Sequence, residues 1–232
     1  LNTHTARFDW KVTSDEKHTI SVRGNYQQDL FANAPAFPDT PGTDTWSHPL
    51  GFQVSHTWLI SNNLTNRFSY GLTRNAFSDQ GDSADNAITF RDVFSPALFA
   101  RTFSRVTPVQ NITNDVNWIT GDHTFQFGVN FRIIRNKRTS FAAAFDNGVA
   151  NSSFYAGAGA ALTRAIDNLG AGFEVAPALR LSIQRALTGL IGRLSQYGAN
   201  FNFQLDGQPQ GAGTPVVREW AAEEYDFYAQ DS

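Results

Sequence analysis

The sequence predicts an all-β fold, an antiparallel up-and-down meander that forms part of a large transmembrane β-barrel, and three observations carry that prediction. Apolar and polar residues alternate through runs of about 9 to 12 residues, the length a tilted strand needs to cross a bilayer. The connections between the runs alternate strictly between short and long. Three tryptophans, Trp10, Trp58 and Trp118, each stand just before a short connection, on the apolar side of their runs.

The first run, Thr5 to Thr13, sets Ala6, Phe8, Trp10 and Val12 against Arg7, Asp9 and Lys11. A polar turn at Ser14-Asp15-Glu16-Lys17 leads into Ile20, Val22 and Tyr26 alternating with Thr19, Ser21 and Arg23, so the pair reads as a hairpin. A Pro/Asp/Thr-rich segment over about 27–48 follows, where proline withholds the donors a central strand requires. The third run carries Leu50, Phe52, Val54, Trp58 and Ile60. After Ser61-Asn62-Asn63, the fourth carries Leu64, Phe68, Tyr70 and Leu72 opposite Arg67. A second irregular segment covers about 75–108. Ile112, Val116 and Trp118 then face away from Asp115, and the tight Thr120-Gly121-Asp122 turn opens the clearest run of all, with Phe125, Phe127, Val129, Phe131 and Ile133 against Gln126, Asn130 and Arg132.

Beyond Arg138 the pattern changes period. Leu162, Ala165, Ile166 and Leu169 suit one helix, and Pro177, at a first helical position, opens a second with Leu179, Ile183, Leu187, Leu190 and Leu194. A seventh strand is expected from Trp220, with Tyr225, Phe227 and Ala229 on one face. The expected organisation is six barrel strands over 1–136, a long, mostly helical loop over 137–219, and the start of a seventh strand over 220–232.

A soluble sandwich alternates its strands too, but has no reason to sort its loops by length onto one end. An outer-membrane barrel has that asymmetry. On this reading Phe8, Ile20, Val22, Phe52, Val54, Phe68, Leu72, Phe125, Phe127, Val129 and Phe131 face lipid. Arg7, Asp9, Lys11, Arg23, Arg67, Asp115, Gln126, Asn130 and Arg132 face the lumen, because a basic residue against mid-depth lipid costs about 2–4 kcal/mol. The three tryptophans should form a row at one height, an aromatic girdle at the water–lipid boundary. The alternatives are core aromatics of a soluble sheet and a solvated sheet surface.

Composition narrows the function classes. The 232 residues are 41% hydrophobic and 17% charged, with a formal charge of −3, which argues against a nucleic-acid partner. Aromatics at 13%, including 20 Phe, are too many for a disordered chain. No apolar stretch approaches the ~20 residues of a membrane helix. Cysteine is absent, which removes disulfides, thiolate metal sites and cysteine nucleophiles. Methionine is absent as well, and the chain reads as a piece of a longer one.

No catalytic constellation stands out, so no enzyme activity, cofactor or metal is expected. The histidines His4, His18, His48, His56 and His123 form no i,i+4 pair, and His123 suits the tight turn. Gly157-Ala158-Gly159 resembles the start of a dinucleotide fingerprint, but Leu162 stands where its third glycine belongs. Asn63, Asn111 and Asn151 begin N-x-S/T triplets of a kind common by chance.

Three segments resemble one family. The hairpin Trp118, Gly121, His123, Gly128 and Arg132 is similar to a W-x-x-G-x-H-x-x-x-x-G-x-x-x-R element of TonB-dependent outer-membrane receptors, above all the Oar-like group with a carboxypeptidase-regulatory-like domain. Tyr225, Phe227, Tyr228, Gln230 and Asp231 resemble the Y-x-F-Y-x-Q-D strand of the same barrels, and Phe8-Asp9-Trp10 with Thr19-Ile20-Ser21-Val22-Arg23 resembles their hairpins. The resemblance implies energy-coupled uptake of an extracellular substrate across the outer membrane of a Gram-negative type cell. Its partners would be the lipid bilayer and, through a plug domain not found in this sequence, the TonB complex. A non-transporting β-rich adhesion or binding protein and a passive porin-type channel are the competing readings.

Overall fold

A computed structural model describes residues 2–91, 94–151 and 160–232, with the Leu162 side chain excepted. Its main body is one antiparallel sheet, built from β1 (Asn2–Lys11), β2 (His18–Ala32), β3 (Asp44–Ser47), β4 (Leu50–Ser61), β5 (Leu64–Gln80), β7 (Phe103–Thr120), β8 (His123–Ser140) and β11 (Val216–Asp231). The collinear β3 and β4 share the rank between β2 and β5, so the sheet runs β1, β2, β3/β4, β5, β7, β8, β11 in chain order. Every neighbour is the next strand of the meander. The break falls at His48-Pro49, where proline has no N–H for the ladder.

A smaller three-stranded sheet consists of β6 (Ala87–Phe90), β9 (Asn147–Ala150) and β10 (Gln196–Gly198). It joins two long connections, because β6 comes from the one after β5 and pairs in parallel with β9, from the one after β8. The helices α1 (Ala160–Asp167) and α2 (Arg180–Leu190) lie in the second of these, and Pro177–Leu179 forms a 3₁₀ turn ahead of α2.

The register shows how the two sheet faces are made. One row crosses every rank as Phe8, Val22, Val54, Tyr70, Ile112, Phe131 and Tyr225. The adjacent row, one residue along, is Asp9, Ser21, Ser55, Ser69, Thr113, Asn130 and Asp226. Since side chains alternate between faces, one face is apolar and aromatic and the other is polar across the whole sheet. From Phe125 to Ile133 the apolar rows extend about 27 Å along the strand, or about 20 Å in height for a strand tilted by 35–45°.

None of the described residues covers the apolar face. Phe8, Phe127 and Phe227 keep 63%, 43% and 70% of their surface exposed. Among the described residues the buried apolar set is only Ala76, Ala87, Ala144, Ala150 and Ile166.

The strands run further at the long-loop end than their alternation suggested. β2 reaches Ala32, β7 starts at Phe103, β8 continues to Ser140 rather than ending at 136, and β11 begins at Val216 rather than 220. The reason is chemical: above Ile133 the apolar-face positions become Arg135 and Lys137, which pair across the ladder with Glu223 and Glu219 at 3.1 Å each. The ladder continues where the apolar signal stops. The segment read as irregular over 27–48 likewise contains the upper part of β2 and all of β3.

The second long connection is mixed rather than mostly helical. Leu179, Leu181 and Leu190 are exposed, while Gln184 donates to Thr163 at 3.3 Å and Arg180 pairs with Asp167. The helix α2 instead sits on the small sheet through the buried Thr188 and through Gly189, where an added Cβ would lie 3.2 Å from the Phe90 ring. Leu169 falls beyond α1, and Gly157-Ala158-Gly159 lie outside the described residues.

Candidate functional site

The polar face of the large sheet and the loop subdomain at one end are the two places where chemistry-bearing residues gather. On the polar face of β1 and β2, Arg7 grips Asp9 at 2.8 and 3.0 Å, and Ser21 donates to the same carboxylate. Arg23 stands opposite Arg7 in the ladder, Lys11 pairs with Glu16 of the first turn, and Arg67 lies opposite Asp115. Asp115 is nonetheless engaged elsewhere, accepting the Tyr228 hydroxyl at 2.9 Å.

That bond exists because of a glycine. Tyr228 is the ladder partner of Gly128, and a Cβ on Gly128 would lie 2.1 Å from Tyr228 Cε1 and 2.6 Å from Asp115 Oδ1. The tyrosine ring therefore lies flat over the bare backbone of β8 and reaches β7. Beside it Asn130 donates to Asp226 at 3.1 Å and Arg132 pairs with Glu224 at 2.7 Å, while on the opposite, apolar face Phe131 meets Tyr225 and Phe227 edge-on at 5.6 and 5.8 Å. His123 does more than serve its turn, since its Nδ1 meets Asp231 at 2.9 Å and so ties the turn to the last strand. Gly121 takes the left-handed conformation, φ 59°, which the two-residue turn demands.

The residues expected on each face share it in the ladder, and Gln126 sits between Asn117 and Gln230 on the polar side. The three tryptophans do not share one ladder row. Trp10 is level with His56, Trp58 with Asn66, and Leu64 with Trp118, so the line steps two residues along the strand for every two ranks crossed. The short turns step in the same direction.

One pair was out of reach of sequence reasoning. His18 Nδ1 and His56 Nε2 lie 3.1 Å apart on the apolar face, with Trp58 stacked on His18 at 5.3 Å. The two rings are nearly coplanar and 5.3 Å apart by centroid, the end-on arrangement of a shared proton rather than of two lone pairs converging on a metal. Only the β2–β4 register brings them together, and no spacing within the chain announces it. Among the described residues no cluster of three metal-ligating side chains exists.

In the loop subdomain, Asp146 is the hub. Its N–H donates to Asn86 at 2.9 Å and its carbonyl accepts from Ala87 at 3.0 Å. Its carboxylate accepts from the Tyr197 hydroxyl and from the Asn200 N–H at 2.9 Å. The Tyr197 hydroxyl first, and the Asn200 N–H second, hold the Asp146 carboxyl below the usual aspartate value. Those bonds stabilise the subdomain at every pH above the ordinary value of about 3.9, and the contribution is lost as pH falls through the lower folded-state value. Amide exchange of residues 196–200 in the full-length protein, corrected for intrinsic rates, should keep constant protection from neutral pH down to about 4 and lose it below. Asp146→Asn should abolish that dependence, and protection that fell already between pH 7 and 5 would assign the hub to another group.

The connection after β5 is braced in a similar way. Asp82 accepts the N–H groups of Leu98 and Ala100 at 2.6 and 2.7 Å, on either side of Phe99, whose φ of 54° is unusual for a bulky residue. Large apolar side chains project from this end, Leu190 and Leu205 above all.

The model of one protein family, described as an outer membrane beta barrel domain, matches residues 1–232. No curated protein and no solved structure matches the chain.

Proposed function

The chain belongs to the outer membrane beta barrel domain family, a protein of the Gram-negative outer membrane, and on that premise we propose that it is part of the barrel of a TonB-dependent transporter. The observation that carries this reading is the sheet with one uncovered aromatic face and one polar face. An apolar surface spanning every rank of the sheet needs a nonaqueous neighbour, and lipid supplies it while the polar face lines a wet lumen. On this reading the short turns are periplasmic and the loop subdomain is extracellular.

The tryptophan line supports the same orientation. Two residues along a strand are about 6.8 Å and two ranks across are about 9.6 Å, so the line becomes level at a tilt of about 35°, within the range of barrel strands. Trp10, Trp58 and Trp118 then mark the periplasmic water–lipid boundary. Seven ranks are fewer than the 8 strands of the smallest such barrels, so further strands pair with the open edges of β1 and β11. The similarity of the β7–β8 hairpin and of β11 to TonB-dependent receptors favours energy-coupled uptake, with a plug domain making contact with TonB, over an adhesin or an open pore.

Binding of the purified full-length protein to the periplasmic domain of TonB tests this directly. The expected result is a stable complex and no steady conductance in a planar bilayer. A large open conductance without TonB binding would replace the proposal with a passive channel, and neither property would replace it with an adhesin.

Substrate contact on this reading falls to the long loops, which emerge together at the end opposite the tryptophans. Long irregular loops on a rigid scaffold are where binding surfaces are commonly built. Deleting residues 150–210 removes α1, α2 and β10 together. The full-length variant should still give the heat-modifiable band of a folded barrel while losing or changing uptake. Loss of the folded band would make the segment a structural element instead.

A further inference from the structure

We propose that a pit on the polar face, between β2, β4 and β5, binds a small oxyanion, a phosphate or carboxylate group borne by the transported solute. The proposal rests on the transport reading and on the polar face being the lumenal one. The pit has a volume of about 130 Å³ and is lined by Arg7, Ser21, Arg23, Gln53, Ser55 and Arg67. Its floor is made of small hydroxyl side chains, Ser21 and the buried Ser55, and guanidinium groups form its walls.

The charge in this pit is not balanced. Arg7 is committed to Asp9, which also takes the Ser21 hydroxyl. The Arg23 and Arg67 side chains have no ion pair or hydrogen bond among the described residues. Arg67 lies opposite Asp115 in the ladder, yet among the described residues the one hydrogen bond to that carboxylate comes from Tyr228 on the far side. The Cα atoms of Arg23 and Arg67 are four residues and two ranks apart, about 17 Å, and both residues line the same pit. Two open guanidinium groups lining one pit with Ser55 and Gln53, whose side chains have no bonding partner either, present forked donors that suit a phosphate or carboxylate.

The pit continues into a larger depression of about 410 Å³ that shares Arg23 and Gln53 with it. Gly71 leaves its floor open, where an added Cβ would meet only a backbone oxygen at 3.9 Å, and over Gly51 the Asn25 amide lies in the space a Cβ would need, 2.7 Å from it. Asn25, Thr73 and Asn111 line the rest, which gives the body of an anion-bearing solute polar room beside its charged group.

Arginine-specific labelling with phenylglyoxal, mapped by peptide mass spectrometry, tests the proposal on the full-length protein in outer-membrane vesicles. Buffers of sodium phosphate, sodium acetate and sodium chloride at equal ionic strength are compared, with Arg91, outside the pit, as the internal reference. Phosphate at five times its dissociation constant should lower labelling of both Arg23 and Arg67 about sixfold relative to chloride and leave Arg91 unchanged. Protection by acetate as well would extend the site to carboxylates, and protection by acetate alone would assign it to them. Equal labelling in all three buffers overturns the proposal. So does resistance in all three, which would mean that carboxylates of the protein itself, such as those of a plug, already cover the two guanidinium groups. The labelling needs neither TonB nor an energised membrane, so a failed transport reading appears in TonB binding and leaves this result standing.

Discussion

Phe127→Arg in the full-length protein is expected to lower the equilibrium constant for folding and insertion by about thirtyfold, whereas Gln126→Arg should leave it near wild type. The two positions are neighbours on β8 and differ only in the face they occupy. Phe127 lies in the ladder row of Trp58, Asn66 and Val116, on the exposed aromatic side. Gln126 lies between Asn117 and Gln230. A guanidinium against lipid costs about 2–4 kcal/mol at mid-depth and less toward the boundary, and Phe127 sits one alternating position from the band centre, so about 2 kcal/mol is the reasonable figure. Urea titration of the heat-modifiable band measures both variants. Equal tolerance of the two substitutions would mean that the faces are assigned the wrong way round or that neither meets lipid.

Gly128→Val should destabilise the barrel by about 2–4 kcal/mol, combining overpacking of about 1–3 kcal/mol with the loss of a hydrogen bond worth about 1. The valine Cβ would stand within 2.1 Å of the Tyr228 ring, so the ring must leave β8 and release Asp115. Tyr228→Phe keeps the packing and loses only the hydroxyl bond, for about 1 kcal/mol. Gly128→Val combined with Tyr228→Ala should cost less than the sum of the single changes, because the second change removes the clash that the first creates. Strict additivity, or a Gly128→Val variant as stable as wild type, would show that the ring does not need the space.

The same joint explains which parts of the molecule could be read from sequence. The W-x-x-G-x-H hairpin and the Y-x-F-Y strand were legible as two separate patterns, because each sits in a cleanly alternating run. That they are two halves of one contact was not legible. Gly128 meets Tyr228, Arg132 meets Glu224 and His123 meets Asp231 only once β8 and β11 are paired in register. A mid-strand glycine in one run and an aromatic in another was the available signal.

Face assignment within a strand needs only a period of two, so Phe125 through Ile133 could be sorted residue by residue. Level across strands depends on the stagger between them, and so the tryptophans were expected in one row but stand on an inclined line. The upper strand ends were missed because Arg135 and Lys137 break the apolar pattern while Glu223 and Glu219 keep the ladder satisfied. The loop subdomain was least legible: β6 and β9 are four-residue strands drawn from separate connections and paired in parallel, and no local pattern announces such a pairing.

On the proposed reading the odd-numbered side chains of β8 face lipid and the even-numbered ones face water. The chain has no cysteine, which makes it suited to site-directed spin labelling. Single cysteines at positions 125–127 and 129–132, labelled in the full-length protein and reconstituted in bilayers, report accessibility to oxygen, which partitions into lipid, and to a water-soluble nickel chelate. Oxygen maxima are expected at 125, 127, 129 and 131 and chelate maxima at 126, 130 and 132. Chelate access at every position, or the opposite alternation, would contradict it.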